Sequence, residues 1–442
     1  MRKPPNVSPP PLTPKHSGLI TKSLEYKVIT PLFGGGVEAQ TADPVTVVRA
    51  QTVVGQLRFW WRACRAASFA SPTAMREREM QIWGSTSLPS KVDVDVRVLQ
   101  RGEEKAPFEI VSRPDGKPSL RAIEAVAPAY AAFPLQPAQS AMRVGMNLKK
   151  LRIGVSFSLT LSYPAEMANE IDAAIWAWET FGGIGARTRR GFGSLRRLKL
   201  DGAEVVPPKT VDALRQEILA GLGAHVSEPQ HPTLCPHLPQ TIAPQTVPYR
   251  LRSGSNVVEC WRSAIKTYRD FRQQRTPPAP GTKHEGRSYW PEPDVVRRLT
   301  GQHASRHAPL TNFDFAPRSL FGLPIILHFK DLGDPRDATI QGINGEDRMA
   351  SRLILKTFEL STGAAAMAFV LRGPRLPVDR QNRDRHVQIR TQNGTHTIEA
   401  TTNRSFTSLG SNRDPLGTAQ DNRTDYTLEQ TFNAFLRKFE SR

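Results

Sequence analysis

Hydrophobic and polar positions change period along the chain, and the changes mark out elements. In SLEYKVIT, Leu24, Tyr26 and Val28 alternate with polar neighbours, the period-two pattern of a strand with one buried face. From Val47 onward the spacing becomes helical, with Val53, Val54, Leu57, Trp60, Trp61 and Cys64 on one face and Arg58, Arg62 and Arg65 distributed around it. KVDVDVRVL (Val92, Val94, Val96, Val98) and GVSFSLTLSY (Val155, Phe157, Leu159, Leu161, Tyr163) return to alternation. After Pro164 the positions Ile171, Ala174, Ile175 and Trp178 predict a second helix, which runs into a glycine-rich loop and then the short strand SLRRLKL. The order β-α-β-β-α-β is that of a ferredoxin-like (RRM-like) unit of class α+β, spanning 19–205. It carries an insertion of roughly fifty residues, about 100 to 152, long enough to predict a projecting arm.

Proline punctuates 206–244, which reads as a linker. A second unit over 245–442 opens with the helical positions Val258, Trp261, Ile265, Tyr268 and Phe271. SLFGLPIILHF, SRLILKTFEL and AAAMAFVLRG read as buried strands, and Leu428, Phe432, Phe435, Leu436 and Phe439 as a closing helix. This unit is expected to repeat the first, although no clear fourth strand is found for it. Residues 378–424 are polar, poor in apolar positions, and expected to be a loose loop.

Composition adds a partner class. The chain has 442 residues with 60 Lys+Arg against 41 Asp+Glu, a net charge of +19, which fits a polyanion binder. Three cysteines make no disulfide framework and suit a reducing compartment. Residues 1–18 are proline-rich and polar, predicting a disordered tail without the apolar core of a signal peptide, and nowhere do eighteen apolar residues run together. A soluble, cytoplasmic protein with no membrane contact is expected.

The loop FGGIGARTRRGFGSL, Phe181 to Leu195, holds five glycines and three arginines without one acidic residue. A Walker A loop is excluded, because Phe192 and Gly193 follow Gly191 where lysine is required. A dinucleotide fingerprint is excluded too, since Thr188 replaces its third glycine and the strand and helix stand in the reverse order. Gly182, Gly183, Gly185 and Gly191 would let a backbone approach closely, while Arg187, Arg189 and Arg190 offer guanidinium forks to RNA phosphates; a helix cap with solvated arginines is the alternative. A second candidate segment joins Gly34, Gly35 and Gly36 to the start of the first helix, where Arg49, Gln51, Thr52, Arg58 and Arg62 would meet an anion. Arg58 and Arg62 also fit a solvated helix face, and Trp60 or Trp61 could stack on a base if not buried. His231, Cys235 and His237 have loosely metal-like spacing but lack a fourth ligand, and Asp93 and Asp95 fit the wet side of a sheet. No catalytic set, metal or cofactor is expected.

The combination of ITPLFGGG, GQLRFWWRA, IWGSTS and FGGIGARTRRGFGSL resembles the RAMP superfamily of CRISPR proteins and, more narrowly, the family of first subunits of the Cmr module, the type III-B effector. SLFGLPI and MASRLILKTF are similar to that family's second domain, so the resemblance covers about residues 20 to 375. It implies a non-catalytic, two-domain, RNA-binding subunit for antiviral defence. Such a subunit docks at one end of a ribonucleoprotein with the other Cmr subunits and holds the 3′ part of the guide RNA or of the guide–target RNA duplex. The alternative within the superfamily is a metal-independent endoribonuclease that cuts guide precursors with histidine and lysine or tyrosine. A general nucleic-acid-binding protein outside CRISPR is a third reading.

Overall fold

The computed structural model describes residues 18–227, 235–240, 249–277, 286–309, 314–343, 348–373, 386–400, 405–407, 423–425 and 428–440. The expected N-terminal tail lies outside them but for Gly18. The chain folds as mixed α and β structure with antiparallel sheets.

The first lobe contains β1 (Leu19–Val28), α1 (Ala50–Arg65), α2 (Pro72–Trp83), β2 (Asp93–Lys105), β3 (Phe108–Ser112), β4 (Pro118–Ala122), α3 (Ala129–Ala132), β5 (Leu151–Pro164), α4 (Ala168–Phe181), β6 (Leu195–Leu200) and β7 (Ala203–Glu204). Its main sheet has the order β2-β5-β1-β6-β7, with every neighbouring pair antiparallel. The alternating residues do what their spacing predicts: Leu24, Tyr26, Phe157, Leu159 and Leu161 are fully buried beneath α1 and α4. Tyr26 meets Trp178 edge-on at 5.4 Å, and Trp60 stacks on Phe181 at 6.0 Å. Thr21, Ser23, Asp93, Asp95 and Arg97 are exposed on the other face, so the two aspartates lie on the wet side of the sheet.

Two expectations about connections are corrected. The insertion is no projecting arm: β2 and β5 continue as one long hairpin to Lys105 and Leu151, and β3, β4 and α3 fold back. Phe108, Ala127, Ala131, Ala132 and Leu135 are buried in the same cluster as Trp261 and Tyr268 of the second lobe. The alanines at 127, 131 and 132 let the segment pack closely against the second lobe, with Phe108 and Leu135 filling the space beside them. The stretch 206–244 is more than a linker, because it contains α5 (Val211–His225). Thr210 caps this helix by accepting from Ala213 N, and Gly221 seats it against the Trp176 ring of α4.

The second lobe comprises β8 (Tyr249–Gly254), α6 (Val257–Arg272), α7 (Glu292–Thr300), β9 (Ile325–Leu327), β10 (Ala338–Gln341), β11 (Leu353–Leu360), β12 (Gly363–Val370), β13 (His386–Thr391), β14 (Gly394–Glu399), β15 (Ser405–Thr407), β16 (Arg423–Asp425) and α8 (Leu428–Glu440). The described sheet β11-β12-β8 has three strands. With β8 as first strand, its order is first-third-second, as in the first lobe, and the fourth strand that the sequence did not supply is absent among the described residues. SLFGLPIILHF is not one strand: Pro317–Phe321 forms a 3₁₀ turn and only Ile325–Leu327 is extended, because Gly322 and Pro324 interrupt the run. Within the stretch expected to be loose, β13 and β14 form a hairpin that buries Val387, Ile389 and Ile398 and joins the sheet β14-β13-β10-β9. The remainder of 378–424, save β15, β16 and the residues just after β14, lies outside the described residues.

The sheet β11-β12-β8 is buried on both faces. Ile354, Ala365, Met367 and Phe369 belong to the first lobe's core, where Phe369 lies 4.5 Å from Phe181. Leu353, Leu355, Ala364, Ala366 and Ala368 face the core around α6 and α8. That explains the unbroken apolar run AAAMAFVL and welds the lobes along one seam.

Candidate nucleic-acid interface

The glycine loop occupies this seam. α4 ends where the backbone turns extended at its C-cap Gly182, and only glycine fits there because a Cβ would lie 2.3 Å from Trp60 Nε1. The chain then closes on itself: Trp178 Nε1 donates to Gly183 O at 2.8 Å, Ile184 N to Gly193 O at 2.9 Å, and Thr30 Oγ1 to Gly191 O at 2.7 Å. These three glycines therefore serve internal packing. Gly185 is different, since it meets the other glycine run. Ala186 N donates to Phe33 O at 2.7 Å, and a Cβ on Gly35 (φ +99°) would stand 3.3 Å from Gly185 Cα. Gly34 is buried, while Gly35 and Gly36 are half-buried at the rim. Thr52 Oγ1 lies 3.4 Å from Gly35 O, so the first turn of α1, with Arg49 half-buried at its N-cap and Gln51 exposed, borders the crossing. The two segments singled out in the sequence are thus brought together.

The arginines divide. Arg58 Nε and Arg62 Nη1 both pair with Glu79 of α2, at 2.7 and 2.5 Å, and so brace α1 to α2 instead of forming a free anion site. Trp60 and Trp61 are both buried and unavailable for stacking. Arg189 Nη1 donates to the carbonyls of Ala350 and Ser351, and its guanidinium lies over Phe59 at 5.4 Å. Arg190 donates to Leu353 O (3.2 Å), the Tyr268 hydroxyl (2.8 Å) and Phe321 O (2.9 Å), while Trp261 Nε1 donates to Arg190 O at 2.7 Å. Both side chains, expected to project toward a ligand, first stitch the loop to the second lobe. They are not solvated caps either.

Arg187 is the exception. It is half-buried with φ +57°, its Nε has no hydrogen-bond partner, and Arg190, Tyr268, Tyr130 and Arg272 surround it. Burial, reinforced by Arg190, pushes the Arg187 and Arg189 guanidiniums down to about 10. Arg272 donates to the Tyr130 hydroxyl at 2.9 Å, and it shares the Tyr268 ring with Arg190, at 5.4 and 4.5 Å. Among the described residues, none of Arg187, Arg189, Arg190 and Arg272 forms an ion pair, whereas Arg58, Arg62, Arg78, Arg196 and Arg197 all do. The sequence did not single out Tyr130 and Arg272. They reach the site through the folded-back insertion and the last turn of α6, for which no local motif exists.

The other sequence candidates stay apart from this cluster. His237 Nδ1 lies 3.0 Å from Cys235 O, and His237 joins Arg372 through backbone hydrogen bonds; His231 lies outside the described residues. His307, Asp331 and Asp334 come within metal-ligating distance of one another, but Arg297 and Arg306 already pair with those carboxylates. His225 ends α5 with its ring 5.2 Å from Trp176 of α4.

Residues 25–196 match the RAMP superfamily. The chain is similar to the CRISPR system Cmr subunit Cmr1-2 of Pyrococcus furiosus, at 28% identity over 181 residues, 39% of this chain and 92% of that protein. Among solved structures it is similar to apo Cmr1 from Pyrococcus furiosus (16% identity, TM-score 0.47, covering 86% of this chain and 99% of that one). A chain of the type III-B Cmr-beta complex bound to cognate target RNA also matches (12% identity, TM-score 0.47, covering 82% and 97%). The family-model match over residues 25–196 and the similarity to a Cmr subunit bear out the resemblance carried by the sequence motifs. No helix among the described residues is long and apolar enough to cross a membrane.

Proposed function

We propose that this chain is a non-catalytic RNA-binding subunit of a type III-B CRISPR (Cmr) effector ribonucleoprotein. It holds guide RNA, or the guide–target duplex, at the crossing of its two glycine segments. The observation that carries the reading is the group Arg187, Arg190 and Arg272 around Tyr268, with Arg189 beside Arg190, none of which forms an ion pair among the described residues. Partly buried guanidiniums are costly without counter-charge; Glu292 supplies part of it to Arg272 from beyond ion-pair distance, and RNA phosphates would supply the rest. Similarity to a Cmr subunit supports the assembly. The exposed sheet face around Thr21, Ser23 and Asp95 offers no aromatic residue, which favours phosphate contact over the base stacking of RNA-recognition domains. The two lobes are read as ferredoxin-like units, 19–205 and 245–442, the second with three strands of its sheet among the described residues. Cytoplasmic residence follows from this role.

The test is isolation of the native assembly, together with incubation of the protein with guide precursor and target RNA, with and without divalent metal. The expected result is a particle containing this chain, other Cmr subunits and a guide RNA, and no cleavage by the isolated subunit. Cleavage abolished by substituting one histidine would replace this reading with the endoribonuclease, and RNA binding without any co-isolated Cmr subunit would favour the general nucleic-acid binder.

A further inference from the structure

Behind the arginine cluster, on the second lobe, lies a cleft of about 870 Å³ between α7, β9 and the turn that follows β9. Six Lys and Arg side chains line it, against two carboxylates. The carboxylates are already neutralised. Arg297 grips Asp334 through Nε (3.0 Å) and Nη2 (2.8 Å), and Arg306 pairs with Asp331. His307 Nδ1 stands 3.1 Å from both Asp331 and Asp334, completing a wall that has no room in its charge balance for a metal cation. Arg287 and Arg318 are held from behind by Asp294 and Glu292, both at 2.9 Å. Among the described residues these four carboxylates answer Arg287, Arg297, Arg306 and Arg318, and the Lys330 ammonium adds positive charge at the rim. Lys330 is exposed and unpaired among the described residues, and Arg318 Nη2 has no hydrogen-bond partner. Arg318 Nη1 donates to Arg272 O at 3.3 Å, so the cleft backs directly onto the arginine cluster.

We infer that this cleft is a second anion site, which binds a phosphate monoester carried by a free nucleotide or by the terminus of an RNA. Its volume suits a nucleotide-sized ligand. Its fixed guanidinium forks, oriented by carboxylates behind them, match a dianionic phosphate better than the single charge of a diester. The Lys330 ammonium and the exposed edge of Arg306 form the entrance. Although the cleft backs onto the arginine cluster, the residues tested, Arg306 and Lys330, lie outside that cluster, so the two sites are tested separately.

The experiment is isothermal titration of the full chain with AMP and inorganic phosphate, beside binding of one short RNA oligomer prepared with 3′-phosphate, 5′-phosphate or hydroxyl ends. The variant is Arg306→Ala with Lys330→Ala, two residues at the rim, its fold checked by thermal melting; Lys330→Ala alone serves if the double variant melts early. Saturable AMP binding identifies a free nucleotide as a ligand. A preference of about tenfold or more for one phosphate-ended RNA, the worth of a charge-assisted hydrogen bond, identifies an RNA terminus. Either effect must disappear in the variant while the hydroxyl-ended RNA binds as before. Neither effect in wild type, or an effect that survives the substitutions, overturns the proposal. Failure of the RNA crossing instead shows as loss of binding of the hydroxyl-ended RNA.

Discussion

Lys356 shows how tightly the seam is set. It projects from β11 against the end of α4, where its Nζ donates to the carbonyls of Glu179 and Gly182, the latter at 2.7 Å. A cation at a helix C-terminus is favoured, but here burial prevails and pushes the ammonium down to about 7. In the unfolded chain the same lysine titrates near 10.5. Between those values the unfolded state binds more protons than the folded state, so the cost of burying Lys356 is full below about pH 7 and is relieved as pH rises toward 10.5. Urea midpoints measured from pH 6.5 to 9.5 should therefore rise with pH in wild type relative to Lys356→Met. Parallel curves would mean that the ammonium stays charged throughout. No sequence pattern marks Lys356 as buried, since nothing local distinguishes a lysine inside the run LILKTFEL from one that reaches solvent.

At the scale of elements, α2 illustrates what spacing alone misses. Its apolar positions are sparse, and the residue that completes its inner face is Glu79, 5% exposed and shared by Arg58 and Arg62 of α1. Removing that carboxylate leaves two guanidiniums facing each other without an acid, so Glu79→Ala should cost roughly 1–3 kcal/mol, discounted because both arginines retain solvent contact. Arg62→Ala should cost less, because Arg58 remains to neutralise Glu79. Chemical denaturation of both variants checks the order; equal, negligible effects would show that α2 docks without the pair. The strands β1, β2, β5, β6, β11 and β12 and the helices α1, α4, α6 and α8 were legible because each buries one periodic face or a continuous apolar run. β8 was hidden beside proline-rich text, α5 inside it, and β13 and β14 in polar sequence that needs only Val387, Ile389 and Ile398 to dock. The candidate site was legible where local motifs carry it, at Gly35, Gly185 and Arg187. Arg189 and Arg190 were legible as special but not as seam residues, since their partners lie from about seventy to more than a hundred and sixty residues on.

Across the whole molecule, a sheet shared by two cores fixes both lobes around the glycine crossing, and a net charge of +19 draws polyanions toward it. The central claim is that Arg187 and its arginine neighbours meet RNA phosphates, and a salt titration of RNA affinity tests it most directly. With about four phosphates neutralised, log affinity should fall against log salt with a slope near −3, at roughly −0.7 per phosphate for single strands. Arg187→Ala should flatten that slope by roughly 0.7 and weaken unrelated RNA sequences alike, with its melting temperature kept, because Arg187 alone of the loop arginines holds no second-lobe carbonyl. Arg58→Ala should leave the slope as it is. An Arg187→Ala protein that folds and binds with the wild-type slope and affinity would contradict the account and leave the seam arginines a purely structural role.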